Sequence, residues 1–568
     1  MRSLNYPLLS LVLVTGLATS AAGAELHRPL PASSTQRNGE PEPLRQTFVP
    51  VVGAPGPPVP ARLARGVPAT YSGAPIDVKT YHYDGGRTGW NARETDLTPA
   101  TVASARFGQI ANIPVSGLVL AQPLLVSNFP MPDGKTHDVL IVATTSNWVY
   151  AFDAATYALL WQVSLGTPQS EKDVACNVLP DYGITSTPTI ARPSSGAATL
   201  YVVAATEPAP FSFHHQLHAL DLRTGADVAP PVEIAPSAPL AGGGRVSFDP
   251  QNEYNRTALA HRHGSIYVGL GAHCDHDAAG VSGWVVRYDS QLRLVDAFNT
   301  VQSKAAYELS SVWMSGSAPA VDAQGNVYFV VGNGYFSQTP GALGFGESVV
   351  SLTPDLKVRS TFTPADWTYL NGRDLDFGSG GIMLLPTVPG QTAPPLAVTI
   401  GKRRKLFLLN QNRLGGLQAN NAGALWHGAL GAGYGLWGAP AYYADAAGGL
   451  VFLQVNKDVL RSYRVNAGAS PGMTPVATGT VAAGFGGSMP IVSSNGSRAG
   501  TAVVWLVHRG LNLSLEAYDA EKLGPPIFQA AAGVWFTDRG NALLTPMEAN
   551  GRVYVGGYKT VNVFGLTQ

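Results

Sequence analysis

One phrase returns along the 568-residue chain: a small residue and a proline, followed by a short apolar run. A second run rich in Val, Tyr and Ile comes next, and a third run ends near an Asp before a turn. The prolines that mark the phrase are Pro123, Pro188, Pro319, Pro386, Pro440, Pro490 and Pro546. The interval of 131 residues between Pro188 and Pro319 holds two repeats, and the segment 254–269 is the missing member. A period of roughly 50–70 residues indicates an array of similar units.

Each repeat has the pattern of three or four short strands. The runs are β-branched and aromatic and are bounded by Gly, Asn and Asp, as in Val139-Leu140-Ile141-Val142, which is typical of strands. No amphipathic helix of three turns is evident. Eight such units predict an all-β, eight-bladed β-propeller with four-stranded antiparallel blades. The last repeat lacks a fourth strand after 560–564, and we expect 107–115 to supply it and close the ring.

Charge and composition exclude several classes of protein. The 37 Lys and Arg residues balance the 37 Asp and Glu residues, and charged residues make up only 13% of the chain. A chain without net positive charge has no electrostatic footprint for nucleic acid. A hydrophobic content of 45%, with 10 Trp, 22 Tyr and 19 Phe, argues against intrinsic disorder. The 64 Gly and 43 Pro residues are consistent with turn-rich β-structure.

The amino terminus has the pattern of a secretory signal over residues 1–24. Arg2 precedes an apolar run over 8–17, and Ala22-Gly23-Ala24 resembles a cleavage site. The run is shorter than the ~20 residues that a membrane-spanning helix needs. We therefore expect a secreted or periplasmic protein with no membrane span.

The remaining chain divides into a linker and one large domain. Residues 25–75 are rich in Pro, Ala, Gly and Ser and predict an extended linker, so that 76–568 forms the propeller. The two cysteines, Cys176 and Cys274, are predicted to form one disulfide in an oxidising compartment. Two buried free thiols are the alternative.

The third strands and the turns after them resemble the repeats of pyrroloquinoline-quinone (PQQ) proteins. The segments 153–161 and 219–225 are similar to the phrase A-x-D-x-x-T-G-x-x-x-W of those repeats. Over residues 80–568 the chain resembles a group of secreted bacterial PQQ-like propeller proteins, through the phrases YHYDGGRTGWN (81–91), YGITSTPTI (182–190), HHQLHALDL (214–222), VWMSGSAP (312–319), DLDFGSGG (374–381) and GKRRKLFLLNQN (401–412). The resemblance extends to the quinoprotein alcohol dehydrogenases, which are eight-bladed propellers that hold PQQ and a calcium ion in the central channel.

The resemblance implies which residues would bind the cofactor and the metal. Thr185 in Thr185-Ser186-Thr187-Pro188, Trp313 and Lys402 match the residues that contact the quinone in the dehydrogenases. Glu207, Asn333 and Asp376 match their calcium ligands, and Glu207 and Asn333 each follow an apolar strand in the expected order. Carboxylate and amide oxygens are the ligands that Ca²⁺ prefers.

The resemblance also implies a catalytic carboxylate. Asp376 in Asp374-Leu375-Asp376-Phe377 matches the general base of the dehydrogenases, where it lies beside the calcium ion. Oxidising an alcohol requires a base for the hydroxyl proton, and a carboxylate within hydrogen-bond reach performs that task. Asp374 lies two residues earlier, and we expect it to lie on the opposite side of the segment from Asp376.

The chain departs from the dehydrogenases at several positions. It has no adjacent pair of cysteines, no CxxCH haem motif, and Pro208-Ala209-Pro210-Phe211 in place of the G-V-R-G that follows the calcium-binding Glu. We expect a secreted quinoprotein-like oxidoreductase, acting on an alcohol or sugar hydroxyl with PQQ and Ca²⁺ in the channel. The alternative is a cofactor-free propeller that serves as a binding or assembly scaffold. The partner is accordingly a small-molecule substrate or another protein, and we expect a monomer.

Overall fold

The computed structural model of the protein describes residues 64, 66–174, 179–194, 197–273, 280–303, 309–430, 435–535 and 543–568. The predicted signal (1–24), most of the predicted linker (25–75), and both Cys176 and Cys274 lie outside these residues. The disulfide and the secretory signal therefore stay predictions.

Eight four-stranded antiparallel units follow one another along the chain, as the repeats predict. We call the first four blades 1 to 4. Blade 1 has the strands Leu124–Pro130, Thr136–Ala143, Trp148–Asp153 and Leu159–Ser164, and blade 2 has Thr189–Ala191, Thr199–Thr206, His214–Asp221 and Val232–Glu233. Blade 3 has Ala260–Arg262, Ser265–Ala272, Trp284–Asp289 and Leu294–Asn299, and blade 4 has Ala320–Val321, Val327–Val330, Val349–Leu352 and Val358–Thr363. Blade 3 begins within the segment 254–269, so the interval between Pro188 and Pro319 does contain two repeats.

Blades 5 to 8 continue the same order. Blade 5 has the strands Ile382–Leu384, Leu396–Ile400, Lys405–Asn410 and Trp426–Ala429, and blade 6 has Ala441–Asp445, Gly448–Leu453, Val459–Asn466 and Gly472–Ala482. Blade 7 has Ile491–Ser493, Val503–His508, Asn512–Asp519 and Phe528–Val534. Blade 8 has Met547–Ala549, Arg552–Gly556 and Tyr558–Leu566, with Phe107–Leu118 as its fourth strand. The fold is thus the eight-bladed propeller that the sequence predicts.

Blade 8 combines strands from both ends of the described chain. Phe107–Leu118 lies antiparallel to Tyr558–Leu566, with Phe107 opposite Leu566 and Ile113 opposite Val561. This pairing confirms that the segment 107–115 supplies the missing strand. It leaves no unpaired edge between the first and last repeats, which removes a site for edge-to-edge association.

The remaining elements are short. Two additional two-residue strands run parallel to blade strands: Trp90–Asn91 beside blade 7 and Gly416–Leu417 beside blade 4. Glu253–Tyr254 extends blade 3, and three small hairpins pair Gln169–Ser170 with Asp181–Tyr182, Ser237–Pro239 with Arg245–Ser247, and Phe336–Ser337 with Gly344–Phe345. The helices of the described chain are Pro99–Ala103 and Trp367–Asn371, with 3₁₀ turns at Met314–Gly316, Phe377–Ser379 and Ala419–Asn421. None of its helices is long and apolar enough to cross a membrane.

Residues 76–91, which we call the axial segment, connect the inner strands of the ring. The carbonyls of this segment accept backbone hydrogen bonds from the first strands of blades 2, 4, 5, 6 and 7, and Val78 pairs with Leu125 of blade 1; the acceptors are Lys79, Gly85, Gly86, Thr88 and Gly89. One segment can reach so many first strands only along the axis, so the first strands line the channel. Tyr81 packs there against Ala258 and Ala318.

Antiparallel pairing decides which loops meet around the channel. The first strand of a blade begins on the face where its second strand ends, and we call this the upper face. Residues just before a first strand and just after a second strand therefore come together there. Trp313 and Asp376 belong to the first class, and Asn333, Lys402 and Arg509 belong to the second.

Candidate functional site on the upper face

A buried lysine joins two carboxylates on the upper face. Lys402 Nζ lies 2.5 Å from Asp376 Oδ2 and 2.8 Å from Asp374 Oδ1. The side chains of Lys402 and Asp376 are only 4% and 1% exposed, whereas that of Asp374 is 10% exposed. The backbone N–H of Lys402 also donates to the carbonyl of Asp376 at 2.9 Å, which fixes the two loops together. We call Lys402, Asp374 and Asp376 the charged triad.

The pKa values of Asp374 and Lys402 are both raised, mainly by burial for Asp374 and by neighbouring charges for Lys402. Burial, followed by repulsion from Asp376, raises the pKa of Asp374 to about 6, although Lys402 opposes the rise. Burial disfavours the charged form of Lys402, but the two carboxylates outweigh it and raise the lysine pKa. Lys402 is therefore a permanent cation at neutral pH, and Asp374 titrates near the pH at which a general base works well.

Asn333 fixes both carboxylates from the neighbouring loop. Its backbone N–H donates to Asp376 Oδ1 at 2.7 Å, and its Nδ2 donates to Asp374 Oδ1 at 2.8 Å. A Cβ at Gly332 would lie 2.8 Å from Asp376 Oδ1 and 2.9 Å from Trp313 Nε1, so only glycine allows this approach. Gly332, directly before Asn333, is therefore required by the packing of the site.

Two tryptophans border the triad. Lys402 Nζ lies 5.8 Å from the ring centre of Trp313 and 5.7 Å from that of Trp437, and the Arg256 guanidinium carbon lies 4.9 Å from the Trp313 ring. Trp313 Nε1 and Asn333 Oδ1 are buried without a hydrogen-bond partner in the described part of the protein. Since such atoms are costly to leave unpaired, they indicate a place where a polar ligand would be accommodated.

The structure brings together four of the predicted site residues, Trp313, Asn333, Asp376 and Lys402. It also corrects one expectation, because Asp374 does not point away from Asp376. Residues two apart on an extended strand share a face, so the expectation was wrong even for a strand. The segment is not a strand either, because the backbone of Asp374 has a positive φ of 52°. Both carboxylates reach Lys402, and Asp374 is a member of the site.

Thr185 and Glu207 make different contacts. The Thr185 hydroxyl donates to the carbonyl of Asn255 at 2.6 Å, and the residue lines a small cavity with Tyr81 and Thr545. Glu207 accepts hydrogen bonds from the backbone N–H groups of Ser170, at 3.1 Å, and Phe211, at 2.9 Å. Among the described residues, no hydrogen bond or ion pair links Thr185 or Glu207 to the triad.

Trp437 and Arg256 belong to the site but were not identified from the sequence. Trp437 lies three residues before Pro440 and Trp313 lies six residues before Pro319, so both precede a first-strand phrase, although at different distances. Arg256 lies in the repeat whose proline is missing, so no phrase marked it.

The donor set gives a test of the predicted calcium site. No group of three or more His, Cys, Asp or Glu side chains in the described chain is arranged to hold a metal ion. Lys402 occupies the position between Asp374 and Asp376 that a bound cation would need, and both oxygens of Asp376 already accept hydrogen bonds. The arrangement of the described residues therefore does not fit Ca²⁺, while Trp313 and Asn333 retain unpaired atoms for an organic ligand.

Solved structures of other proteins share the fold of this chain. The chain is similar to the quinohemoprotein alcohol dehydrogenase from Comamonas testosteroni, with a TM-score of 0.54 and 16% identity over 86% of this chain and 80% of that one. The quinohemoprotein alcohol dehydrogenase from Pseudomonas putida HK5 gives a TM-score of 0.55 and 13% identity over the same shares. The fold is that of the quinoprotein dehydrogenases. At 13–16% identity, the similarity shows the fold alone. No family model and no curated protein matches the sequence.

Proposed function

We propose that this protein is a quinoprotein-like oxidoreductase that oxidises an alcohol or sugar hydroxyl to a carbonyl at the upper face. In this reaction the O–H proton goes to a base, and the carbinol C–H hydrogen goes with two electrons to the quinone. The observation that supports it best is the charged triad beside Trp313. Desolvating two carboxylates and an ammonium group costs several kcal/mol per ion, and the neighbouring Trp313 Nε1 and Asn333 Oδ1 are left unpaired.

The proposal assigns a task to each residue. PQQ, when bound, would supply the two-electron acceptor for the reaction. The Trp313 ring would pack against the flat cofactor, and Lys402 would place a positive charge next to it. Asp376 would accept the hydroxyl proton, because each carboxylate oxygen has a second lone pair beyond the one used by Asn333 or Lys402.

Calcium does not enter this assignment, since the described residues give it no cage. Lys402 supplies a fixed positive charge at the position where a metal ion would otherwise stabilise developing negative charge. Glu207 instead stabilises its own loop, because its carboxylate accepts hydrogen bonds from the backbone N–H groups of Ser170 and Phe211.

Binding of PQQ to the purified protein tests the proposal. Titration should quench tryptophan fluorescence with a single saturable step, and both Trp313→Ala and Lys402→Met should weaken it at least tenfold. Lys357→Met, which changes an exposed lysine on blade 4, is the matched control and should bind as the wild type does. Each titration is run with and without added Ca²⁺, and calcium is expected to leave the affinity unchanged.

The scaffold alternative gives the opposite result. If the wild type binds no PQQ under either condition, the oxidoreductase proposal fails and the triad is a structural ion network. If Ca²⁺ is required and Glu207→Gln abolishes binding, the cofactor proposal holds but the metal belongs in the site.

A further inference from the structure

Arg509 is a buried cation on the upper face that the assignment above does not use. It follows the second strand of blade 7, Val503–His508, and is 2% exposed. Its Nη1 donates to the carbonyl of Trp437 at 2.9 Å. A Cβ at Gly486 would lie 3.2 Å from the same nitrogen, so glycine permits the close approach of this loop.

Most of the hydrogen-bonding capacity of Arg509 is unused. Nε and Nη2, which carry three of the five N–H donors of a guanidinium, have no partner in the described chain. No ion pair with a carboxylate is present for Arg509 in that part of the protein either. Burial lowers its pKa to about 10, so the side chain is still charged at neutral pH.

A second buried arginine shows that the fold can satisfy such a group. Arg87, in the axial segment, is 1% exposed, and burial lowers its pKa to about 10 as well. Its Nε donates to the carbonyl of Pro319, and its Nη1 donates to Thr80 Oγ1 and to the carbonyls of Tyr81 and Asp84. Arg87 has the contacts of a structural arginine, whereas Arg509 has the unmet donors of a binding residue.

The surroundings of Arg509 are aromatic. Arg509 donates a hydrogen bond to the carbonyl of Trp437. The centre of the Trp437 ring lies 5.0 Å from that of the Phe485 ring, and Phe485 is 39% exposed. The ring of Trp437 also lies 5.7 Å from Lys402 Nζ, so Trp437 connects Arg509 to the charged triad. Burial raises the pKa of Tyr81, and the positive charge of Arg509 lies near enough to the Tyr81 hydroxyl to oppose part of that rise.

We propose that Arg509, together with the Trp437–Phe485 aromatic pair, binds the carboxylate of a small organic acid on the upper face. A carboxylate is planar and accepts two parallel N–H···O bonds from a guanidinium, which matches the free Nε and Nη2 donors. The adjacent rings favour an acid with an apolar or aromatic body. If the oxidoreductase proposal holds, on which this step rests, the substrate is a hydroxy acid whose hydroxyl lies toward the triad.

Thermal unfolding with simple acids tests the subsite without any cofactor. Benzoate and acetate are the probes, and benzamide is the uncharged control. Benzoate at saturating concentration should raise the melting temperature by about 2–4 °C, because it binds only the folded state, with a smaller rise for acetate and none for benzamide. Arg509→Gln should remove the rise, and Arg509→Lys should retain part of it.

Two controls separate binding from structure. Arg403→Gln removes a half-exposed arginine that pairs with Asp366 and should keep the benzoate effect. Without ligand, Arg509→Gln should melt no lower than the wild type, because it removes an unpaired buried charge. A marked fall in its melting temperature, or a benzoate effect equal to that of the wild type, would overturn the proposal.

PQQ itself carries carboxylates, so the same variant is titrated with PQQ. Loss of PQQ binding in Arg509→Gln, with no benzoate effect in the wild type, would assign Arg509 to the cofactor and overturn the small-acid proposal. A benzoate effect that depends on Arg509 supports the subsite even if the wild type binds no PQQ. The failure of the oxidoreductase proposal can thus be told apart from failure of the subsite.

Discussion

Lys402 Nζ lies between Asp376 Oδ2, at 2.5 Å, and Asp374 Oδ1, at 2.8 Å, on the upper face of the propeller. The lysine follows the second strand of blade 5, and the carboxylates precede the first strand of the same blade. A hairpin of one blade therefore assembles the triad, and Asn333 of blade 4 holds it in place through both carboxylates.

Asp376→Asn should remove most dye-linked turnover with PQQ, while PQQ affinity stays nearly intact. The physical reason is the loss of the proton acceptor, and removal of a general base typically costs ~10²–10⁴-fold. Asp374→Asn should cost about tenfold, because Lys402 and Asn333 still hold Asp376. Initial rates and PQQ titrations of both variants are compared. A larger loss in Asp374→Asn would make the more exposed carboxylate the base.

Lys402→Met should lower the free energy of unfolding by about 3–5 kcal/mol, since it leaves two carboxylates buried without their cation. The triple variant Lys402→Met with Asp374→Asn and Asp376→Asn should recover much of that loss, because no unpaired charge is left. Equilibrium unfolding in urea measures both, with Lys357→Met as the exposed control. A loss below about 1 kcal/mol in Lys402→Met would mean that the ion pairs contribute as little as those at a surface.

Gly85→Ala should destabilise the propeller through the axial segment. A Cβ at Gly85 would lie 2.6 Å from the carbonyl oxygen of Val321, whose N–H donates to the Gly85 carbonyl. Backbone must therefore move, and overpacking of this kind typically costs ~1–3 kcal/mol. Gly472→Ala is the control, because its Cβ would make only an ordinary contact, at 3.4 Å from Trp426. Equal melting temperatures of the two variants would show that the axial segment adapts easily.

Much of the fold could be predicted because the repeat carries it. The small-residue and proline phrase directly precedes the first strand in six blades, whereas in blade 5 Pro386 follows the first strand, Ile382–Leu384. A gap of two periods reveals the remaining blade, whose first strand is Ala260–Arg262. The need to close the ring predicts the pairing of 107–115 with the last repeat. The axial segment was not predicted, since its carbonyls bond to strands far away in sequence and leave no periodic pattern.

The site was predictable only in part. Trp313, Asn333, Asp376 and Lys402 keep motif positions, and the topology brings them together. Asp374 was misplaced because the expectation put residues two apart on opposite faces of a strand, whereas they share one face. In the structure the chain turns at Asp374, which has a positive φ, and both carboxylates reach Lys402. Arg509 has free donors because no acceptor of the described chain lies near its Nε and Nη2 atoms. A single sequence does not show which groups surround a buried side chain.

Cys176 and Cys274 should form one disulfide. Thiol titration of the unreduced, denatured protein should find no free thiol, and reduction should release both. In the chain-entropy model, closing so long a loop stabilises by roughly 4 kcal/mol, so reduction should also lower the melting temperature. The double variant Cys176→Ala with Cys274→Ala controls for effects of the reductant. Two thiols titrating before reduction would refute the pairing.

Glu253 should make the stability of the protein depend on pH. Burial is the main cause that raises its pKa to about 8, and the nearby charge of Asp249 adds to it, although the N–H groups of Ser282 and Asp249 donate to its carboxylate. Since the folded state keeps the proton that the unfolded state loses near pH 4.5, this contribution is complete below about pH 4.5 and declines as the pH rises to about 8.

Glu253→Gln removes that titration but keeps a similar shape. The unfolding free energy of the wild type should therefore fall relative to Glu253→Gln by on the order of 1.4 kcal/mol per pH unit between about pH 5 and 7.5. Urea unfolding at several pH values measures the difference, in which titrations of all other groups cancel. Glu171→Gln, at a partly exposed acidic position, serves as control and should run parallel to the wild type. Parallel curves for wild type and Glu253→Gln would mean that Glu253 is ionised in the folded protein throughout this range.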